Sequence, residues 1–558
     1  IKGLGSNNDQ EIDYAAQHIK DHLTTYRIDD EDIKIISNFY TKDSANIRKS
    51  ILRTGKADAP NTLDMSSAQH MLHFGVEFHT YKCLRQVPTY IDGLNPCQRK
   101  IFFTVRRHYR KGIRKLSEIA GTTSSETEYQ HGENSLLSAI AYLSQNYMGA
   151  RNLPIFAAES ETGSINSDRG DQQARYLKVR YNRLMDTLFP RIDDPLLDRR
   201  TIEGKLCEPY YYVPILPLAL LEMNDTPATG WRIKTYPLDL NVITKMVKFK
   251  LTRVDNHVPM QALHSYTWLY PHLDMRTFLN GKDEIKSIIT GAYDISDDCT
   301  NIVIRQFPPK KWVEKSITKI KKSPFYEHVK DIQNYTANNV VNVSIAIPKS
   351  SAGYVKELHD GGHLAGVLGL VKKDKHHLNF IGENDLIREF ANYGDVLNAW
   401  FAKRKSLYET RVHVMKTILA MRTEMIQHKI KFIKGYYEVT RFNTMTKSAR
   451  QEYYLTNGFP RYNSGLIMSD TIHPSELDHM KDSHKCDYSY LDSIKVSKTS
   501  IEGIKKMEDM IIAITNKINA MKKPIDIWRD EIDSFTTMYA KGVETKWRYK
   551  KYKQTAVQ

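Results

Sequence analysis

Tyr176 follows Arg175 directly within QQARYLKVR, residues 172–180. A phenol beside a guanidinium suits one demanding reaction, attack on the phosphorus of a phosphodiester. A tyrosine hydroxyl ionises near pH 10, so it needs cations to steady the phenolate and the crowded phosphorus. Arg175 offers a planar fork of donors to phosphate oxygens. Two upstream segments add candidates. YQHGENSLL, residues 129–137, brings His131 as a donor to a nonbridging oxygen. YIDGLNPCQRK, residues 90–100, brings Gln98, Arg99 and Lys100 to hold neighbouring phosphates. The departing sugar hydroxyl would want a metal ion beside it. Each residue alone has a plainer reading. The chain has 33 tyrosines, most of which must be core or surface. A histidine in a Tyr-Gln-His-Gly turn is an ordinary cap, and Arg99 and Lys100 fit a solvated helix face.

These residues need elements to hold them. Asp92-Gly93 and Asn95-Pro96 are turn signals, and Pro96 suits the first turn of a helix over CQRKIFFTVRRHYR. Gly112 should break that helix, and a second, IRKLSEIAG, should end at Gly121. Helix, glycine turn and helix make a helix-turn-helix candidate. Arg99, Lys100, Arg106, Arg107, Arg110, Lys111, Arg114 and Lys115 give it a cationic face for a phosphate backbone. From about 238 to 349 the pattern turns to strands: 284–293, 300–307 and 340–348, around a Lys-rich helix within PPKKWVEKSITKIKKSPF. After about 392, Leu407, Val414, Ile418, Met421, Met425 and Phe432 keep helical spacing. Ile501, Ile504, Ile511, Ile514, Ile518 and Met521 repeat it. The pair predicts an antiparallel coiled coil, with 436–496 as a small head at its far tip.

A chain of 558 residues exceeds one core, so three to five domains are expected. The net charge of +16 calls for a polyanionic partner, most simply nucleic acid. Hydrophobic residues make up 41%, yet no apolar run nears the roughly 20 residues that cross a bilayer. The five cysteines are scattered without a CxxC pair, which argues against a zinc finger or a disulfide framework. The opening IKGLGSNN, without Met, reads as the interior of a longer protein.

The motifs together resemble the breakage-reunion region of eukaryotic-type type IIA DNA topoisomerases. YIDGLNPCQRKIFF is similar to the family's DGLKPGQRK segment, YQHGENSL to its YHHGEMSL, and ARYLKVRYNRLMDTLFPRIDDPLL to the segment around its nucleophilic tyrosine. EPYYYVPILPLALL, TGW at 229–231, IRQFPPKKW and DIWRDEIDSF at 526–535 follow in the family's order. KGLG at 2–5 resembles the end of the metal-binding TOPRIM domain. The resemblance implies an α+β multidomain fold. Residues 1–75 would be the end of TOPRIM and a linker, 76–235 a winged-helix domain, 236–390 a tower, 391–545 the coiled coil and lower gate, and 546–558 a basic tail. It implies Tyr176 as nucleophile, Arg175, His131 and Arg99 as its catalytic companions, and Gln98 and Lys100 beside the gate DNA. The family's apolar wedge between base pairs falls on Pro227, an acceptable wedge, although the glycines around it are gone. Gln130 and Cys97 are further departures, and such drift points to a large DNA virus.

The implied cofactors are magnesium, on TOPRIM carboxylates expected before Ile1, and ATP, on a domain outside this chain. The implied partners are double-stranded DNA and a second copy in a homodimer, with no membrane. The implied location is the host cytoplasm for a viral protein and the nucleus for a cellular one. The rival reading is a winged-helix architectural protein with a dimerising coiled coil. It explains the charge and the arms but leaves Arg175-Tyr176 idle.

Overall fold

The structure is a computed structural model that describes residues 7–58, 64–167, 173, 176–252, 274–279 and 284–541. The KGLG segment, Arg175 and the basic tail lie outside the described residues.

After a helix at Asp9–Gln17, three helices pack together: α1 (Asp30–Tyr40), α2 (Ala45–Thr54) and α3 (Val76–Gln86). They bury Phe39, Leu52, Val76 and Cys83 against Trp231, which arrives from far along the chain. Next comes α4 (Pro96–His108), whose start is written in its sequence. Asn95 accepts from the Gln98 N–H, the Gln98 side chain accepts in return from the Asn95 N–H, and Pro96 fills the first turn. The turn before it requires glycine. Gly93 has φ +66°, and a Cβ there would lie 2.7 Å from the Ala219 nitrogen.

The helix pair expected around Gly112 is divided. Gly112 does take a left-handed φ of +78°. Strand β1 (Ile113–Lys115) then intervenes, and α5 (Leu116–Thr127) runs straight through Gly121. The helix-turn-helix is instead α5 and α6 (Glu133–Ser144), joined through Glu128 in the left-handed region. Strands β2 (Phe156–Ala158) and β3 (Lys178–Tyr181) complete an antiparallel wing in the order β1-β3-β2. Helices and wing share one core that includes Phe102, Val105, Ile119, Leu137, Ile140 and Val179. A hairpin follows, β4 (Asn224–Pro227) and β5 (Arg232–Thr235).

The strand-rich middle forms two antiparallel sheets. Strands β6 (Asp274–Leu279) and β7 (Ile285–Thr290) belong to one. Strands β8 (Ala292–Ile295) and β9 (Asn301–Gln306), and β10 (Asp331–Asn334) and β11 (Val343–Ala346), belong to the other, in the order β8-β9-β11-β10. Its alternation buries Ile302, Ile304, Val343 and Ile345. Strand β12 (Val371–Lys375) closes the first sheet beside β7. The hairpin β13 (Leu378–Ile381) and β14 (Ile387–Phe390) leads into the arm.

That arm is α7 (Tyr393–Gly435), 43 residues in one helix and about 65 Å long at 1.5 Å per residue. Two helices return along it, α8 (Ile501–Asn519) and α9 (Pro524–Lys541). Ile426, Ile430 and Ile433 bury against Met507 with Ile504, Ile511 and Ile514 alongside, whereas the expected α7 stripe of Leu407, Val414, Ile418, Met425 and Phe432 turns into the main core instead. Ile501, in contrast, is exposed. Residues 436–496 do not sit beyond the far tip. They fold back along α7, where the Arg422 guanidinium donates to the Ile467 and Ser469 carbonyls at 2.8 and 3.2 Å. They reach the arm's base, where the Thr471 hydroxyl donates to the Ile192 carbonyl at 3.0 Å and His473 lies 3.0 Å from Asp198.

Candidate active site

Tyr176 stands in a single tight turn, its N–H donating to the Gln173 carbonyl at 3.0 Å, immediately before β3. Its side chain is 65% exposed. The wing fixes its position: the Leu116 N–H donates to the Leu177 carbonyl and the Glu159 N–H to the Lys178 carbonyl, at 3.1 and 3.0 Å. Across the wing Lys115 faces Lys178 in register, both exposed. Like charges placed opposite each other on a sheet are destabilising, so this pair, two residues from the phenol, marks a surface suited to an anion.

His131 lies half-buried in the turn that precedes α6. The Tyr81 hydroxyl is 2.7 Å from its Nε2, and the Tyr129 ring meets it edge-on at 5.3 Å. Tyr129 is itself buried. Burial and the neighbouring Cys97 push its hydroxyl up to about 12, while the guanidinium of Arg85 pulls it down. Arg85 therefore belongs to the His131 cluster, half-exposed at the last turn of α3. The sequence reading missed it, because a lone arginine in a last helical turn reads as a complement to the helix dipole.

Four of the residues expected at phosphate or DNA are engaged within the protein. Arg99 is 1% exposed, and its guanidinium donates to both Asp92 oxygens at 2.7 and 3.1 Å and to the Leu94 carbonyl at 2.9 Å. Asp92 also receives the Thr89 hydroxyl and the Leu94 and Tyr212 N–H groups. The DGLNP turn is thus a buried knot and Arg99 is its cation, turned away from solvent. Gln98 is spent on the α4 cap. The Lys100 ammonium donates to Glu208 and to the Thr127 carbonyl at 3.0 and 2.6 Å. Arg106 is buried on Asp194 through two bonds of 2.8 Å. Arg110, on the same expected cationic face, is similarly held by Asp186 at 2.7 Å.

Arg107, Lys111, Arg114 and Lys115 remain exposed, at the end of α4 and on the wing. Arg107 lies over the Phe103 ring at 5.1 Å and 3.5 Å from Glu126, and Arg114 lies over Tyr109 at 5.4 Å and 4.0 Å from Glu118, both pairs on the surface.

Pro227 is exposed at the tip of the β4–β5 hairpin. The missing glycines do not leave its loop shapeless. Ala228 and Trp231 exchange backbone bonds of 2.8 and 3.2 Å, and Gly230 alone takes a positive φ, +79°. The Thr229 hydroxyl lies 3.0 Å from Nδ1 of His79, and the Cys83 thiol reaches the Thr229 carbonyl at 3.6 Å. Burial, then Lys82 and Arg48, hold the His79 ring below its usual pKa. The Trp231 indole donates to Glu389 at 2.8 Å. Burial would raise the Glu389 pKa, but the indole bond and the charges of Lys49 and Arg53 lower it overall. At the base of the hairpin Lys234 and Tyr236 both bond Asp374 of β12.

Among the described residues, no three His, Cys, Asp or Glu side chains are grouped to hold a metal. Among the same residues no helix is long and apolar enough to cross a membrane.

Comparison with known proteins places this arrangement. Residues 85–535 match the family described as the A subunit of DNA gyrase/topoisomerase IV. DNA topoisomerase 2 of African swine fever virus (strain Badajoz 1971 Vero-adapted) is 27% identical over 98% of this chain and 48% of its own. A putative mitochondrial DNA topoisomerase 2 of Caenorhabditis elegans is 23% identical over 95% of this chain and 45% of its own. The motif drift pointed to a viral enzyme and to that of African swine fever virus in particular; at 27% identity that enzyme is a relative. The chain spans about half the length of these relatives. The crystal structure of the Plasmodium falciparum topoisomerase II DNA-binding, cleavage and re-ligation domain shares the fold. Its TM-score is 0.74 at 21% identity, covering 98% of this chain and 75% of that one. With four fifths of its length matched, the chain belongs to the family of the DNA gyrase/topoisomerase IV A subunit.

Proposed function

We propose that this chain is the DNA breakage-reunion core of a type II DNA topoisomerase. The observation that carries the reading is Tyr176, exposed at the start of the central wing strand beside the opposed Lys115 and Lys178, in a member of this family. Its phenol oxygen attacks a backbone phosphorus in duplex DNA. A bond forms between that oxygen and the 5′ phosphate, the bond to the 3′ oxygen breaks, and the phenol proton passes to solvent as the 3′ hydroxyl gains one. Religation runs the same steps in reverse. One ester replaces another, so the reaction is close to isoenergetic and needs no ATP for resealing.

Arg175 and His131 steady the charge on the phosphate. Arg85, beside Tyr129 and His131, takes the companion role that the burial of Arg99 denies to that residue. The wing and the end of α4 carry the duplex backbone through Arg107, Lys111, Arg114 and Lys115, and Pro227 wedges and bends it. A homodimer supplies one tyrosine per strand for a staggered break. The second duplex passes through and leaves between the arms formed by α7, α8 and α9. Magnesium on TOPRIM carboxylates and an ATP-hydrolysing domain complete the whole protein, which works at viral replication sites in the cytoplasm or, in a cell, in the nucleus. The domain divisions follow the family: winged helix at 76–235, tower at 236–390, arms and gate at 391–545.

The test is strand passage by the full-length protein on catenated circles. Tyr176→Phe is expected to abolish decatenation while noncovalent duplex binding survives. Unchanged decatenation would reject the assignment. The architectural rival expects no decatenation from the unsubstituted protein either.

A further inference from the structure

Beside the wedge loop, α2 presents Asn46, Lys49, Ser50, Arg53 and Thr54 along one face, which with Glu389 of β14 lines an open groove of about 490 Å³. No apolar side chain lines it. Two cations share one carboxylate there: Lys49 lies 3.3 Å from one Glu389 oxygen and Arg53 pairs with the other. That second oxygen also accepts the Trp231 indole N–H. One carboxylate therefore serves three donors, and the groove holds one positive charge more than it neutralises. Its wall is the wedge loop itself. A Cβ on Gly230 would touch Cγ of Lys49 at 3.4 Å, and the Arg53 guanidinium lies 5.9 Å from the Trp231 ring. Pro227 is three residues from Gly230.

We propose that this groove binds a backbone phosphate of duplex DNA next to the wedge, with Lys49 and Arg53 as its ligands and Glu389 as the internal anion that the phosphate displaces. The site deepens the DNA-cleaving reading and rests on it. Unlike the exposed wing, the groove is occupied in the free protein by its own acid. A phosphodiester brings two nonbridging oxygens that can take the ammonium and the guanidinium together. Asn46 and Ser50 supply neutral polar groups at its edge. Glu389 keeps its indole bond throughout, so the loop stays shaped while the cations change partner. The contact is with backbone and reads no sequence. It anchors the duplex on one side of the bend that Pro227 imposes.

The experiment measures binding of a 30-base-pair duplex to the full-length protein by fluorescence anisotropy across a salt series. Each phosphate neutralised contributes about −0.9 to the slope of log K against log salt. Lys49→Gln with Arg53→Gln removes that one phosphate contact and is expected to make the slope shallower by about 0.9. Glu389→Gln, which still accepts the indole N–H, is expected to tighten binding several-fold at fixed salt. Arg53→Lys keeps the charge and is expected to keep the slope. A merely structural role for the trio would weaken binding in all variants alike. An unchanged slope in the double variant, or weaker binding in Glu389→Gln, overturns the site. If the unsubstituted protein binds no duplex, the DNA-cleaving reading falls and the groove with it. If that protein decatenates normally while the double variant keeps its slope, the groove alone is rejected.

Discussion

The root of the arm and the surface around the wedge and wing use the same residue types in opposite ways. At the root Arg404 and Arg411 are 0% and 3% exposed, and both bond Asp193, at 2.6 Å each. Glu531 of α9 takes a further bond from Arg411 at 2.6 Å and one from Tyr408. Trp528 seals the cluster against Trp400, Phe401 and Tyr408 and donates its indole N–H to the Ile215 carbonyl at 2.9 Å. Arg99 and Arg106 belong to the same class. Around the wedge and wing, Arg53, Arg107, Lys111, Arg114 and Lys115 keep their charge in water, with weak partners or a shared one. The first set is locked into buried ion pairs, those of Arg404 and Arg411 tying Asp193 to the arm. The second set is free to exchange partners, as binding a polyanion demands.

Substitutions should separate the two regions by what they damage. The largest effect is expected at Asp193. Asp193→Ala leaves two buried guanidinium groups short of their acid, and losing one partner of a buried pair costs about 3–5 kcal/mol. Thermal unfolding should show an early transition, and Arg99→Ala should resemble it through the stranded Asp92. A loss below about 1 kcal/mol for both would erase the distinction. Lys111→Ala, Arg114→Ala and Lys115→Ala should each change stability by no more than about 0.5 kcal/mol. Combined, they should still flatten the salt dependence of duplex binding by roughly one for every phosphate left without its cation. Pro227→Gly is expected to reduce duplex bending, read by energy transfer between labelled ends, with no shift in melting. Retained bending would remove Pro227 as the wedge.

The smallest effect is one of pH. The folded His79 ring is held below its ordinary pKa by burial, Lys82 and Arg48. The unfolded ring then binds its proton at higher pH than the folded one. The stability contributed is present above the unfolded pKa of about 6.5 and is lost as pH falls from there through the lower folded pKa. The fall in melting temperature from pH 7.5 to 5.5 should be smaller in His79→Gln. Identical profiles would show that the ring plays no part in holding Thr229.

The sequence made local structure legible and left distant pairing hidden. Asn95-Pro96 and Gln98 announced the start of α4 because a helix cap is complete within four residues. The apolar stripe of α7 announced the arm for the same reason. Strand β1 has three residues and exists through its pairing with β3, more than sixty residues on, so no periodicity could reveal it. Most of the misassigned cations share that cause. Arg106 meets its acid 88 residues away and Lys100 meets Glu208 across 108, so half of the cationic face read from α4 was a set of half-written ion pairs. Arg99 is the exception, since its Asp92 is only seven residues back. The folded-back head depends on Arg422, Thr471 and His473 finding backbone and side-chain partners outside their own segment.

The most direct measurement is the chemical identity of the DNA-linked residue. The full-length protein, denatured during cleavage of a radiolabelled duplex and digested to peptides, is expected to yield the 5′ phosphate on the peptide that holds Tyr176. Label on any other residue, Tyr81 or Tyr129 included, or a covalent product that persists in Tyr176→Phe, would contradict the account.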